Sequence, residues 1–162
     1  MNLREDKGWA YGAYTFTSNA KGQRPWFIYA PVQTDKTIDS IKEILKEVNG
    51  YQGDQPARVD ELEKIVNNNV NSLPGQFETA GAVLGAMQNN HIFDRPDNYV
   101  TQLPSAYRGL QLDDIHAAAR SELHPENLVW VVVGDREKIA DGLADVGFDA
   151  IRYIDADGNI VE

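Results

Sequence analysis

The longest uninterrupted apolar run in the chain is Val129 to Val133, flanked by Leu128. It is far shorter than the roughly 20 residues that cross a bilayer. Asn127 to Val133, which contains that run and is closed by Gly134-Asp135, reads as a buried strand. Such a strand needs helices and further strands to cover it, so the rest of the sequence must supply a sheet and its cladding.

The hydrophobic spacing does supply them. Tyr11 to Ser18 and Pro25 to Val32 are rich in aromatic and β-branched residues and flank Asn19-Ala20-Lys21-Gly22, which predicts a β-hairpin. Asp35 to Val48 places Ile38, Ile41, Ile44, Leu45 and Val48 at helical spacing between a Thr34-Asp35 start and an Asn49-Gly50 stop. Ala57 to Leu73 repeats the pattern with Val59, Leu62, Ile65, Val66 and Val70 and ends at Pro74-Gly75. Gln76 to Asn90 is a third helix, whose Gly81 and Gly85 suggest close contact with a neighbour. Asp97 to Tyr107, made irregular by Pro104, and Leu112 to Leu123 are two shorter helices. Arg136 to Ala144 is a last one, before a strand over Phe148 to Ile154. The order β-β-α-α-α-α-α-β-α-β gives an α+β fold, a mixed β-sheet with helices packed on one face, in a single domain over residues 1–162.

Charge narrows the partners. The 25 Asp and Glu outnumber the 15 Lys and Arg, leaving a net charge of −10 with no basic stripe, which disfavours nucleic acid and anionic membranes. There is no cysteine, so thiol nucleophiles and thiolate metal sites are excluded, and the compartment is left open. The three histidines, His91, His116 and His124, are not spaced to share a metal on one helix turn. Asp113 with His116, or His124 with Glu126, offers two ligands where zinc wants three or four. The Asp155-Ala156-Asp157-Gly158-Asn159 stretch lacks the later glutamate of a calcium loop and reads as a polar hairpin turn.

One pair of polar residues stands apart. Arg4 and Tyr11 lie seven residues apart across the Gly8 break, a planar guanidinium fork and a phenolic hydroxyl that can both donate to a carbonyl oxygen. The run Leu3 to Tyr14 that carries them, Leu-Arg-Glu-Asp-Lys-Gly-Trp-Ala-Tyr-Gly-Ala-Tyr, resembles the signature of the C-terminal domain in the insulinase/pitrilysin family of zinc metallopeptidases. Asp60-Glu61-Leu62, Phe77-Glu78-Thr79, Asp97-Asn98-Tyr99 and Leu128 to Asp135 resemble segments of that family in the same order.

The resemblance implies that Arg4 and Tyr11 hold peptide carbonyls near the scissile bond, with Tyr11 helping to stabilise the oxyanion. It also implies that the zinc sits in the N-terminal domain of the parent, or in a partner subunit, on an inverted His-x-x-Glu-His motif. That motif is missing from this sequence, so the chain has no cofactor of its own and should be inactive alone. The partners implied are that catalytic domain or subunit and a peptide substrate. Because the family's domain carries a strand and a helix before the Arg motif, Met1 is expected to be an internal residue, with an unpaired sheet edge prone to self-association. An alternative within the family is a non-catalytic assembly subunit.

Overall fold

In the computed structural model, residues 2–148 and 150–161 are described. The chain divides into two units, Met1–Ser18 with Arg24–Glu47 and Leu128–Glu162 forming the first, and Asn19–Gln23 with Val48–Asn127 forming the second.

The first unit opens with a π-helical turn, Asn2–Asp6, and continues into the expected hairpin. Its strands, β1 (Tyr14–Thr17) and β2 (Trp26–Tyr29), pair antiparallel, with Tyr14 opposite Tyr29 and Phe16 opposite Phe27. The two phenylalanine rings stack at 5.1 Å, a cross-strand pair of the kind that fixes register. Helix α1 (Thr37–Gln52) follows a 3-10 turn over Thr34–Lys36. Its Ile41 joins Ile139 and Leu143 of α6 (Arg136–Leu143) in the core of this unit, with Ile38, Leu45, Trp130, Val146 and Phe148 packed around them. Gly142 is what lets α6 approach α1, because a Cβ there would stand 2.6 Å from Cγ1 of Ile38. The unit closes with a second antiparallel pair, β3 (Tyr153–Ile154) and β4 (Ile160–Val161).

The second unit is helical. Helix α2 (Val59–Ser72) begins where the Glu61 carboxylate accepts from the Arg58 backbone N–H at 3.0 Å, and α3 (Ala80–Ile92) where Thr79 Oγ1 accepts from the Ala82 N–H at 3.1 Å. Helices α4 (Tyr99–Gly109) and α5 (Leu112–Glu122) complete it, the latter started by the Asp114 carboxylate accepting from the Gln111 N–H.

Several expectations are corrected. Two small antiparallel sheets stand among the described residues in place of one mixed sheet. The run Asn127 to Val133 is not a buried strand: a 3-10 turn covers Pro125–Asn127, and Val129, Val131 and Val133 are 88%, 78% and 92% exposed. Only Trp130 turns inward to the core, so the apolar run covers one surface and leaves the other bare. The Asn49-Gly50 pair does not stop α1, which runs on to Gln52. The Gln52 amide there donates to the carbonyl of Ala119, which also accepts the Leu123 N–H, and to that of Leu123 at the end of α5. Gly81 and Gly85 meet open space, and Pro104 lies inside an unbroken α4. The expected strand Phe148 to Ile154 shrinks to β3, and its position 149 lies outside the described residues.

Packing at Gly142 yields a test. Alanine normally gains about 1 kcal/mol over glycine inside a helix, whereas overpacking a core contact costs about 1–3 kcal/mol. Gly142→Ala is therefore expected to lower the urea midpoint of unfolding. A raised midpoint would show that the Ile38 contact is not as close as described.

Candidate functional site

Arg4 and Tyr11 both lie on the segment that leads from the π-helical turn into β1. The Leu3 side chain is buried, and its carbonyl accepts from the N–H groups of Trp9, at 2.9 Å, and Ala10, at 3.3 Å. Gly8, at φ +66°, makes the reversal between them in a backbone region that other residues rarely enter. The strand-like end is tied down in turn. Ala10 bridges Val32, the Gln33 N–H donates to the Trp9 carbonyl at 3.0 Å, and the Gln33 amide donates to the Gly8 carbonyl at 3.2 Å.

The other end of the segment is fixed to α1. The Asn2 amide donates to Glu43 at 2.5 Å and to Glu47 at 2.8 Å, and Lys7 Nζ lies 3.6 Å from Glu43. The ammonium groups of Lys7 and Lys36 also sit 5.3 and 5.8 Å from the centre of the Trp9 ring. Leu3, Lys7, Gly8 and Trp9 thus belong to a scaffold, and Arg4 and Tyr11 are displayed on it.

What is displayed is polar and open. The Arg4 guanidinium is exposed and contacts the Glu5 carboxylate at 3.2 Å, while Tyr11 is 90% exposed. No hydrogen bond joins the two side chains to each other. Two exposed donors on an anchored backbone can meet carbonyl oxygens of an extended chain laid along the segment.

The anchoring residues Asn2, Glu43, Glu47 and Gln33 escaped the sequence reading. A polar residue near a terminus and glutamates on an amphipathic helix look like ordinary solvated positions until the chain is folded.

The other sequence candidates find local uses. His116 Nε2 is 2.8 Å from the carbonyl of Ala57, and His124 Nδ1 is 3.5 Å from Glu126. Among the described residues no group of three or more His, Asp or Glu side chains could hold a metal ion. Asp155 accepts from the N–H groups of Asp157 and Asn159 and from the Asn159 amide, so the acidic stretch is the turn of the β3–β4 hairpin. Those bonds, the Asn159 amide first, hold the Asp155 carboxyl below the usual carboxylate range.

Comparison with known proteins bears directly on the segment that carries Arg4 and Tyr11. The family model described as the peptidase M16 inactive domain matches residues 1–69, which contain the whole anchored turn, the hairpin and α1. Over residues 1–69 the chain is similar to that domain. The resemblance to the non-zinc C-terminal domain of the insulinase/pitrilysin family is borne out by that match. A crystal structure of a peptidase M16 inactive domain from Pseudomonas fluorescens has the same fold, with a TM-score of 0.68 at 16% identity over 76% of this chain. This chain spans 29% of the length of that M16 chain. No curated protein matches the sequence.

Glu43 is the anchor of the turn that responds to pH. The hydrogen bond from Asn2, followed by the nearby Lys46 and Lys7 ammonium groups, holds its carboxyl below the usual value. A carboxyl lowered on folding stabilises the folded state above its unfolded value of about 4.3, and that contribution is lost as the pH falls through the lower folded value. Hydrogen-exchange protection factors at the Lys7, Trp9 and Ala10 amides are expected to fall on acidification below about pH 4. Glu43→Gln should abolish most of that acid dependence; undiminished dependence in the variant would move the anchor elsewhere.

Proposed function

We propose that this chain is the substrate-binding part of an M16-type zinc metalloendopeptidase, holding the peptide while a catalytic domain or partner subunit holds the zinc. The observation that carries the reading is the display of Tyr11, 90% exposed at the end of a backbone segment fixed on both sides. An aromatic side chain left in solvent on so constrained a segment contributes little to the core, and its hydroxyl is available to a ligand. The family match over residues 1–69 supports the assignment of that segment to a domain without its own catalysis.

Zinc does not fit this chain. Its three histidines are scattered, and the described residues gather no three-ligand cluster. The work left to these residues is binding and orientation. Arg4 offers a planar fork to one peptide carbonyl, and Tyr11 offers its hydroxyl to the carbonyl on which negative charge develops during attack.

A second reading, a non-catalytic assembly subunit of the same family, is favoured by one observation, the bare row of Val129, Val131 and Val133. Uncovered apolar surface of that kind marks an interface.

Substitution separates the two. Tyr11→Phe, made in the full-length or reconstituted peptidase, removes one hydroxyl and little packing. Turnover is then expected to fall by roughly 10²–10³, the usual cost of a lost oxyanion donor. Arg4→Lys keeps the charge but not the fork, and is expected to raise the Michaelis constant. Full activity with an unchanged Michaelis constant in both variants would leave only the assembly reading.

A further inference from the structure

Helix α2 carries Val59, Leu62, Glu63 and Val66 at intervals of three and four, which sets them on one face of the helix. Facing them, the chain passes from α4 to α5 through the extended residue Leu110, just beyond Arg108 in the last turn of α4. Between these elements lies a cavity of about 340 Å³, lined by all of these residues and contained within the second unit. That volume is at the lower end of the range of small-molecule sites, roughly 300–1,000 Å³. The apolar floor is wet: Val59 is 58% and Leu110 38% exposed, surface that a ligand would take out of water.

The two charges on the lining are opposite in sign and uncommitted. Among the described residues neither Glu63 nor Arg108 has an ion pair or a side-chain hydrogen bond, although both line the same cavity. By contrast, Arg58 at the start of α2 is held by Asp60 at 3.0 Å and by Glu61 at 3.5 Å. A carboxylate and a guanidinium that flank an apolar floor without meeting each other are complementary to a ligand carrying an ammonium and a carboxylate on an apolar body. A simple anion would leave Glu63 facing a like charge, and a simple cation would do the same to Arg108.

We propose that this cavity binds an apolar amino-acid zwitterion, supplied as a free amino acid or as a short peptide with both ends free. Arg108 takes the carboxylate through its planar fork, Glu63 accepts from the ammonium, and the apolar side chain covers Val59, Leu62, Val66 and Leu110. The inference uses neither Arg4 nor Tyr11 and stands apart from the proposed role of those residues.

A chemical-shift titration of the isotope-labelled 162-residue chain tests it, with leucine and the dipeptide leucyl-leucine as probes. Saturable binding of at least one is expected, with the largest amide shifts from Val59 to Val66 and from Tyr107 to Leu112. Whichever binds more tightly distinguishes the free amino acid from the peptide as the source. Acetylating the ammonium or amidating the carboxylate of that probe is expected to weaken binding about tenfold in each case. Arg108→Gln should weaken the unmodified probe but not its amide, and Glu63→Gln the unmodified probe but not its acetylated form. Both positions are exposed, so the substitutions leave the packing of the second unit intact.

Absence of saturable binding by either probe overturns the proposal, as do shifts that fall outside the two lining segments. A probe blocked at both ends that binds as tightly as the free one would reduce the cavity to an apolar groove and overturn it as well. So would a variant that weakens the correspondingly blocked probe as much as the unmodified one.

Discussion

The carbonyl of Leu3, accepting from two successive N–H groups while its own side chain is buried, is the contact on which the turn carrying Arg4 and Tyr11 depends. It closes a turn that ordinary α-helical geometry would not close, with the Lys7 N–H reaching back five residues to Asn2. Gly8 at positive φ and the Gln33 bonds then set the direction in which the chain leaves. Arg4 and Tyr11 need make no structural contact of their own, because the backbone beneath them is held by other residues.

The same unit shows how much a short apolar run depends on its surroundings. Leu128 to Val133 has the composition of an interior strand, and Trp130 does reach the core. Burial of both faces requires a neighbour on each side, and among the described residues the outer valines have none. Composition reported the preference for an extended backbone, while the missing pairing is a tertiary fact that local sequence does not contain.

Much of the remaining architecture was legible. The hairpin turn at Asn19 to Gly22 and the helical spacing from Ile38 to Val48 and from Val59 to Val70 all led to elements close to those observed. Boundaries failed where a distant partner intervened. Gln52 extends α1 past a glycine that would otherwise end it, because it satisfies carbonyls at the end of α5. The site was legible only in part. Arg4 and Tyr11 could be singled out by chemistry and by resemblance, whereas Asn2 and Glu43, which anchor the turn 41 residues apart in sequence, could not.

The central claim is that the anchored turn presents a peptide-binding surface, and a chemical-shift titration tests it most directly. An isotope-labelled sample of the chain would be titrated with an extended, uncharged peptide while backbone amide and tyrosine ring signals are followed. The account predicts that the largest shifts fall on residues 3–12, including the Tyr11 ring, with the α2 to α5 helices little affected. Shifts confined to those helices, or a turn that stays silent at saturating peptide, would contradict it.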